Sequence, residues 1–267
     1  PNVEVTYQVG DQEWTPRNAS SKRIGEMVTL KWGLAQSNNW ISAWLMNQLS
    51  PELLVSLIHE FGVLNKEIDP TMSLCLGACE ISVLEMVSAY TGFAKEGMRR
   101  APRFVTKIED SEGNVLATFT PNIQHVISRD AAWKMVELMR GVMDGGTGSR
   151  MRFRYNIQSP MAGKTGTTND NSDGWFVGYT PSLAFGVWVG GDERDIHFSS
   201  MSYGQGAASA LPVAANFLKK VYADGALGYD PEEEFEVPDE LENTWSEEKI
   251  AAAEPDSVFV EDEVMNP

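Results

Sequence analysis

The sequence contains few cysteines, few histidines and few basic residues. Its two cysteines, Cys75 and Cys79, and its three isolated histidines exclude a disulfide-rich scaffold and leave too few ligands for a metal site. With 21 Lys and Arg against 38 Asp and Glu, the net charge of −17 argues against nucleic acid as a partner. We therefore expect no metal, no cofactor and no nucleic-acid partner.

The sequence also lacks a long apolar segment. No run approaches the roughly 18 residues that a membrane-spanning helix needs. The N-terminal residues Pro1-Asn2-Val3-Glu4 have neither the basic region nor the apolar segment of a signal peptide. We expect no membrane segment in this chain, and any targeting signal would lie outside it.

The negative charge is concentrated at the C-terminal end. Fifteen of the 38 acidic residues and one of the 21 basic residues fall between Asp230 and Pro267, so that this segment carries −14 of the net −17. Pro231, Pro238 and Pro255 interrupt this segment, and its low hydrophobicity does not favour a packed core. We predict a folded domain over residues 1–228 and a disordered, solubilising acidic tail over residues 229–267.

Capping residues and amphipathic spacing predict six helices. They cover residues 29–36, a segment that begins just after Asn39, a segment from Ser50 to Gly62, and residues 82–96, 128–143 and 212–222. The predicted buried stripe of the third helix is Leu53, Leu54, Leu57, Ile58 and Phe61, and the predicted sheet-facing side of the last helix is Val213, Phe217 and Val221.

Strand-like runs alternate with turn residues in two regions. Residues 104–108 and 115–119 flank a turn and predict a hairpin. The strand around Lys164 and the runs 174–179 and 183–189 predict three adjacent antiparallel strands. We interpret residues 1–20 as a surface connection and residues 144–149 as a flexible loop. The pattern predicts an α+β fold in which helices flank an antiparallel sheet.

Two short polar motifs carry the chemistry. Lys164-Thr165-Gly166 on a strand places a cation and a hydroxyl beside a residue without Cβ, so that the backbone of a substrate with a carboxylate can lie against the strand. Ser37-Asn38-Asn39 lies in a helix-to-helix connection. A purely structural alternative is that Asn38 or Asn39 caps the second helix.

These motifs, over a hundred residues apart, resemble the second and third motifs of the penicillin-recognising serine enzymes. Further stretches resemble the transpeptidase domain of class A, bifunctional penicillin-binding proteins. These stretches are Trp14-Thr15-Pro16-Arg17-Asn18, Leu74 to Gly77 before Glu80, Ala89-Tyr90 with Phe93-Ala94, Gly146-Thr147-Gly148, residues 163–169 and residues 173–179. The resemblance covers about residues 5–222.

The resemblance implies a β-lactamase/transpeptidase-like fold and a role for the parent protein in peptidoglycan cross-linking by serine acyl transfer. The implied partners are stem peptides ending in D-Ala-D-Ala and β-lactam antibiotics, and the implied location is the periplasmic face of the bacterial cytoplasmic membrane. By resemblance, three residues are catalytic. Ser37 passes a proton to the leaving amine, Asn39 holds the substrate amide, and Lys164 attracts the terminal carboxylate.

Three further residues bind substrate by resemblance. The hydroxyls of Thr165 and Thr167 add hydrogen bonds, and Gly166 leaves room for the acyl chain. The backbone N–H of Thr167 is the expected second donor to the oxyanion, the first being the N–H of the nucleophilic serine.

The family's first motif, Ser-x-x-Lys, supplies the nucleophile and the lysine that activates it. We expect this chain to lack the motif, which the family places further upstream of Ser37 than this chain begins. The chain would then be the C-terminal portion of a transpeptidase domain and inactive alone. Two alternatives stay open, a non-catalytic penicillin-sensing domain and a serine β-lactamase, the latter disfavoured by the long acidic tail.

Overall fold

The computed structural model describes residues 1–238. Residues 1–235 form one compact unit. The acidic segment 239–267, which holds most of the predicted tail, lies outside the described residues. Within residues 1–238, no helix is both long enough and apolar enough to cross a membrane.

Eight α-helices and nine strands are present in the described part. The helices are α1 Leu30–Ala35, α2 Asn39–Leu49, α3 Pro51–Glu60, α4 Val83–Ala94, α5 Arg129–Asp144, α6 Arg150–Phe153, α7 Met201–Gly204 and α8 Ala210–Ala223. The strands are β1 Tyr7–Val9, β2 Gln12–Trp14, β3 Met98–Arg100, β4 Lys107–Glu109, β5 Val115–Thr118, β6 Ile123–His125, β7 Ala162–Thr167, β8 Asp173–Tyr179 and β9 Ala184–Gly190. The six predicted helices and the predicted hairpin β4–β5 are confirmed.

Side-chain caps begin the longer helices where the sequence predicted them. Asn38 caps α2 and Ser128 caps α5, each by accepting a hydrogen bond from a backbone N–H in the first turn. At α4, Ser82 and Glu85 form a complete capping box. Each such cap contributes about 1 kcal/mol to helix stability.

The central sheet has the order β7-β8-β9 and is antiparallel throughout, as predicted. Lys164 lies opposite Val177, and Gly186 of β9 lies opposite Val177 on the other side. Gly186 abuts Val83 and Val87, so α4 covers this face of the sheet. The mixture of helices and antiparallel strands confirms the predicted α+β class.

Helix α8 covers the other face of the sheet. Its Leu211 and Leu218 join Phe176 and Phe185 in the main hydrophobic core. The predicted sheet-facing side is wrong for Val213, which is 52% exposed. Phe217 is partly exposed, but its ring lies 6.1 Å from that of Phe185 on β9, and Val221 is buried. Small residues such as Ala214 pack on the sheet because they let the helix approach it closely.

The predicted buried stripe of α3 is only partly correct. Phe61, just after the helix, is buried, but Leu53 and Leu57 are 55% and 37% exposed. Leu54 and Ile58 pack against a small cluster that includes Met46 and Leu74. Only one side of the stripe finds a partner among residues 1–238. Cys75 and Cys79 are free thiols packed against the same cluster.

The folded unit extends past the boundary predicted near Gly228. Phe235 is buried, and its ring lies edge-on to Tyr179, with centroids 5.8 Å apart. Tyr179 in turn contacts the ring of Tyr90 on α4. The aromatic contact with the end of β8 holds this segment in the compact unit.

Candidate active site

The two predicted motifs meet in the structure. Lys164 Nζ donates a hydrogen bond to Ser37 Oγ at 2.7 Å and a second one to the carbonyl of Thr165 at 2.8 Å. The two side chains are 127 positions apart in sequence. The contact joins the end of α1 to strand β7.

Ser37 occupies a strained position just after α1. Its φ of 52° lies in the left-handed region, which costs a non-glycine residue about 1–2 kcal/mol. Its N–H donates to the carbonyl of Leu34, and the N–H of Asn38 donates to that of Gly33, so helix α1 is closed off here. This tight turn leaves the side chain of Ser37 exposed toward Lys164.

The buried side chain of Asn38 holds the connection between α1 and α2 in place. Its Oδ1 accepts the N–H of Ile41, which caps α2, and its Nδ2 donates to Asn2 Oδ1 at 2.8 Å. Asn2 is fully buried and also donates to the carbonyls of Lys22 and Arg23. The interpretation of residues 1–20 as a surface connection is therefore wrong, because this segment forms part of the support of the site.

Asn39 is held by the same N-terminal segment. Its backbone N–H donates to Asn18 Oδ1 at 2.7 Å, and its Nδ2 donates to the carbonyl of Arg17 at 2.6 Å. The indole N–H of Trp40 donates to the carbonyl of Pro16. One amide donor of Asn39 is thus used within the protein, and its side chain remains partly exposed.

Lys164 lies in a largely desolvated position. Burial lowers its pKa from 10.5 to about 8, because the charged ammonium loses hydration. None of the ion pairs among residues 1–238 includes Lys164. At pH 7 the group is still about 90% protonated. The site therefore presents a cation without a carboxylate partner in the described part of the chain.

Strand β7 is an edge strand, and its outer side carries backbone groups. Thr168 N–H donates to the carbonyl of Asp173, which makes this a hydrogen-bonded pair of the β7–β8 ladder. Since such pairs alternate, the N–H and C=O groups of Thr165 and Thr167 point away from β8. Gly166, with no side chain, lies between them. The edge can therefore accept an extended peptide.

The hydroxyls of the two threonines have partners in the protein. Thr167 Oγ1 accepts the N–H of Gly206 at 3.0 Å, and Thr165 Oγ1 lies 2.6 Å from Thr147 Oγ1. Thr147 was missed as a site residue, although Gly146-Thr147-Gly148 was among the stretches that carried the resemblance. Residues 144–149 are not a loose connector, because Thr147 N–H also donates to the carbonyl of Ala35 at 3.0 Å.

Within residues 1–238, no cluster of His, Cys, Asp and Glu could hold a metal ion. The expectation that the chain lacks any serine followed three residues later by lysine is wrong. Ser246-Glu247-Glu248-Lys249 has that spacing. This tetrapeptide follows Lys164 in the chain, the reverse of the family order, and it lies outside the described residues. No serine in residues 1–229 has the spacing.

Comparison with known proteins identifies close relatives. Penicillin-binding protein 1A of Aquifex aeolicus is 35% identical over 229 residues, which are 86% of this chain and 30% of that protein. Penicillin-binding protein 1B of Vibrio cholerae is 30% identical over 234 residues, or 88% of this chain and 27% of that protein. The chain thus spans less than a third of the length of these relatives.

Solved structures show the same fold. Penicillin-binding protein 1A from Haemophilus influenzae superposes with a TM-score of 0.77 at 23% identity, covering 88% of this chain and 40% of that one. PonA1 from Mycobacterium tuberculosis, solved in complex with penicillin V, gives a TM-score of 0.67 at 26% identity, covering 87% and 64%. The family model of the penicillin-binding protein transpeptidase domain matches residues 2–219. The chain therefore belongs to the family of penicillin-binding protein transpeptidase domains.

Proposed function

We propose that the chain forms the carboxylate-binding and proton-transfer half of a peptidoglycan D,D-transpeptidase active site. The observation that carries this proposal is the 2.7 Å contact between Lys164 Nζ and Ser37 Oγ beside an open strand edge. A cation, a hydroxyl and a row of backbone donors then face one another. A stem peptide ending in D-Ala-D-Ala has the matching groups: an extended backbone, an amide and a terminal carboxylate.

The reaction proposed is acyl transfer through a serine ester. A serine of the first motif attacks the carbonyl of the penultimate D-Ala, the peptide C–N bond breaks, and the terminal D-Ala leaves as an amine after accepting a proton. Ser37 Oγ passes that proton. An acceptor amine then attacks the ester carbonyl, forms the cross-link and releases the serine. A β-lactam undergoes the first step through its ring amide and remains attached.

Each residue of this half-site has one task. Lys164 attracts the terminal carboxylate, at about 4 kcal/mol for charges 4 Å apart in a partly screened site. The backbone N–H of Thr167 points outward from the free edge of β7 and serves as one oxyanion donor. Thr165 lies beside the carboxylate position, and Gly166 admits the acyl chain. Asn39 offers its remaining amide hydrogen to the substrate amide.

The nucleophile belongs to a Ser-x-x-Lys segment that residues 1–238 do not contain. We propose that it is joined to this chain in a longer protein at the periplasmic face of the cytoplasmic membrane. The relatives, more than three times as long as the matched region, support such an arrangement.

Labelling with a fluorescent penicillin tests the proposal. In a longer protein that joins this chain to its Ser-x-x-Lys segment, we expect one covalent adduct per molecule by intact mass. Ser37→Ala and Lys164→Ala should slow acylation at least a hundredfold, whereas the exposed Lys66→Ala should not change it. The 267-residue chain alone should form no adduct. An adduct on the chain alone, mapped to Ser37 or Ser246, would show that the nucleophile has been misplaced.

A further inference from the structure

The loop between α5 and α6 ties together the two elements that carry the catalytic pair. Thr147 in this loop uses its backbone N–H to donate to Ala35, two residues before Ser37. It uses its hydroxyl to bond the hydroxyl of Thr165, the neighbour of Lys164, at 2.6 Å. One residue therefore spans the gap between the end of α1 and strand β7.

We infer that Thr147 is a positioning residue that sets the distance between Ser37 Oγ and Lys164 Nζ. One of its bonds holds Ala35, close to Ser37 in the chain, and the other holds Thr165, next to Lys164. Because neither bond reaches Ser37 or Lys164 itself, Thr147 acts through the backbone of α1 and through Thr165. A role for Thr147 in catalysis rests on the proposed function. The test below measures only the pKa of Lys164 and is independent of that function.

The glycines beside Thr147 show how closely the loop is fitted. A Cβ at Gly146 would collide with the backbone carbonyl of Ala35, and a Cβ at Gly148 would lie 2.7 Å from Met143 Sδ. Gly148 N–H donates to the carbonyl of Val142. The loop can approach α1 and α5 this closely only without side chains at these two positions. Thr147 is thus held at a fixed depth between α1 and β7.

The burial of Thr165 means that loss of its hydroxyl bond to Thr147 would cost stability. Thr165 is buried, and Thr147 is the partner of its hydroxyl in the structure. Removal of the hydroxyl of Thr147 would leave a buried polar group without a hydrogen bond. The strand can then relax away from α1 or admit water. Either change alters the desolvated surroundings of the Lys164 ammonium, whose pKa burial now lowers to about 8.

The test uses the full 267-residue chain and measures the pKa of Lys164 by NMR of ¹³Cε-labelled lysine, assigned with Lys164→Arg. Thr147→Val keeps the shape of the side chain and removes the hydroxyl. We expect it to raise the pKa of Lys164, with an about tenfold smaller proton dissociation constant. Thr147→Ser restores the hydroxyl and should return the value to that of the unmodified chain.

Thr91→Val is the matched control. Thr91 is also partly buried and makes two hydroxyl bonds, to Ser88 and Arg100, but it joins α4 to β3 rather than α1 to β7. It should leave the pKa of Lys164 unchanged. An unchanged pKa in Thr147→Val, no rescue by Thr147→Ser, or an equal change in Thr91→Val would overturn the inference.

A double variant keeps the test decisive if Thr147→Val does not fold. Thr147→Val combined with Thr165→Val replaces both hydroxyls and leaves no buried polar group unpaired, so folding is expected to recover. The hydroxyl bond between positions 147 and 165 is absent in this protein too, whereas the backbone bond to Ala35 remains. We expect its Lys164 pKa to be raised as well, and a value equal to the one measured for the unmodified chain would contradict the positioning role.

Discussion

Asn38 Nδ2 donates a hydrogen bond to Asn2 Oδ1 across 36 positions of sequence, in a fully buried setting. This amide pair connects the start of the chain to the turn that carries Ser37. Asn2 is satisfied on all sides, since its own Nδ2 donates to two carbonyls. The first residues of the chain are therefore a structural component of the site.

Substitution of Asn2 should destabilise the protein strongly, although the residue is only the second of the chain, because it is fully buried. Asn2→Ala leaves Asn38 Nδ2 and the carbonyl of Lys22 without these partners, while the carbonyl of Arg23 still accepts the N–H of Glu26. We expect the free energy of unfolding to fall by about 2–3 kcal/mol. Urea denaturation measures the change. Asn216→Ala, which removes one exposed amide bond to Pro212, serves as control and should cost under about 0.5 kcal/mol. Equal losses in the two variants would refute the structural role.

Ser37 should show opposite effects on stability and on function. Ser37→Gly relieves the left-handed backbone, and we expect a gain of about 1 kcal/mol in the free energy of unfolding. Ser37→Ala keeps the strain and should be within about 0.5 kcal/mol of the unmodified protein. Both lose the hydroxyl, so both should lose penicillin acylation in the longer protein. Thermal unfolding and labelling, done in parallel, separate the two effects. Full acylation of Ser37→Gly would remove Ser37 from the proposed mechanism.

The stability of the chain should depend on pH through Lys164. Its pKa is about 8 when folded and 10.5 in the reference state, so between these values the unfolded chain binds more protons and stability rises with pH. Below pH 8 both states are protonated and the penalty is constant. Relative to Lys164→Met, the unmodified chain should gain about 1 kcal/mol between pH 8 and 10.5, after allowance for partial exposure.

Urea unfolding of both proteins at several pH values measures this gain, because other titrating groups cancel in the difference. The exposed Lys66→Met is the control and should keep a constant difference from the unmodified chain. A flat difference for Lys164→Met would mean that its ammonium is well hydrated.

The C-terminal boundary can be tested by truncation. A chain that ends at Gly228 loses the contact of Phe235 with Tyr179, and we expect its free energy of unfolding to drop by about 2–3 kcal/mol. A chain that ends at Pro238 keeps this contact and should be as stable as the full chain. If the two truncated chains have equal melting temperatures, Phe235 does not stabilise the unit.

Local signals in the sequence predicted most of the elements. Caps such as Ser128 and the turn before Val115 act over a few residues, so that propensity alone locates them. The sides of helices were harder to predict. Val213 is expected to face the sheet because it is apolar, but it is exposed and the neighbouring Ala214 is fully buried in its place. Which apolar side of a helix is buried depends on the shape of its partner.

The motif residues of the site were predicted from the sequence, but the residues that hold them in place were not. Ser37 and Lys164 were named from spacing and resemblance, and the structure brings them together. Asn2 and Thr147 act through a few hydrogen bonds between distant positions, which leave no periodic trace in a sequence. The residue types at those positions, Asn and Thr, are common in turns, so their burial was not evident.

The open side of β7 also bears on solubility. An edge strand with unpaired backbone groups is a template for pairing with a second copy, which leads to aggregation. Gly163 and Gly166 make this edge smooth, and Lys164 places a positive charge on the strand. A bound extended peptide would cover the edge and block such pairing. Ligands that occupy this strand should therefore act as chemical chaperones for the protein, quite apart from any reaction they undergo.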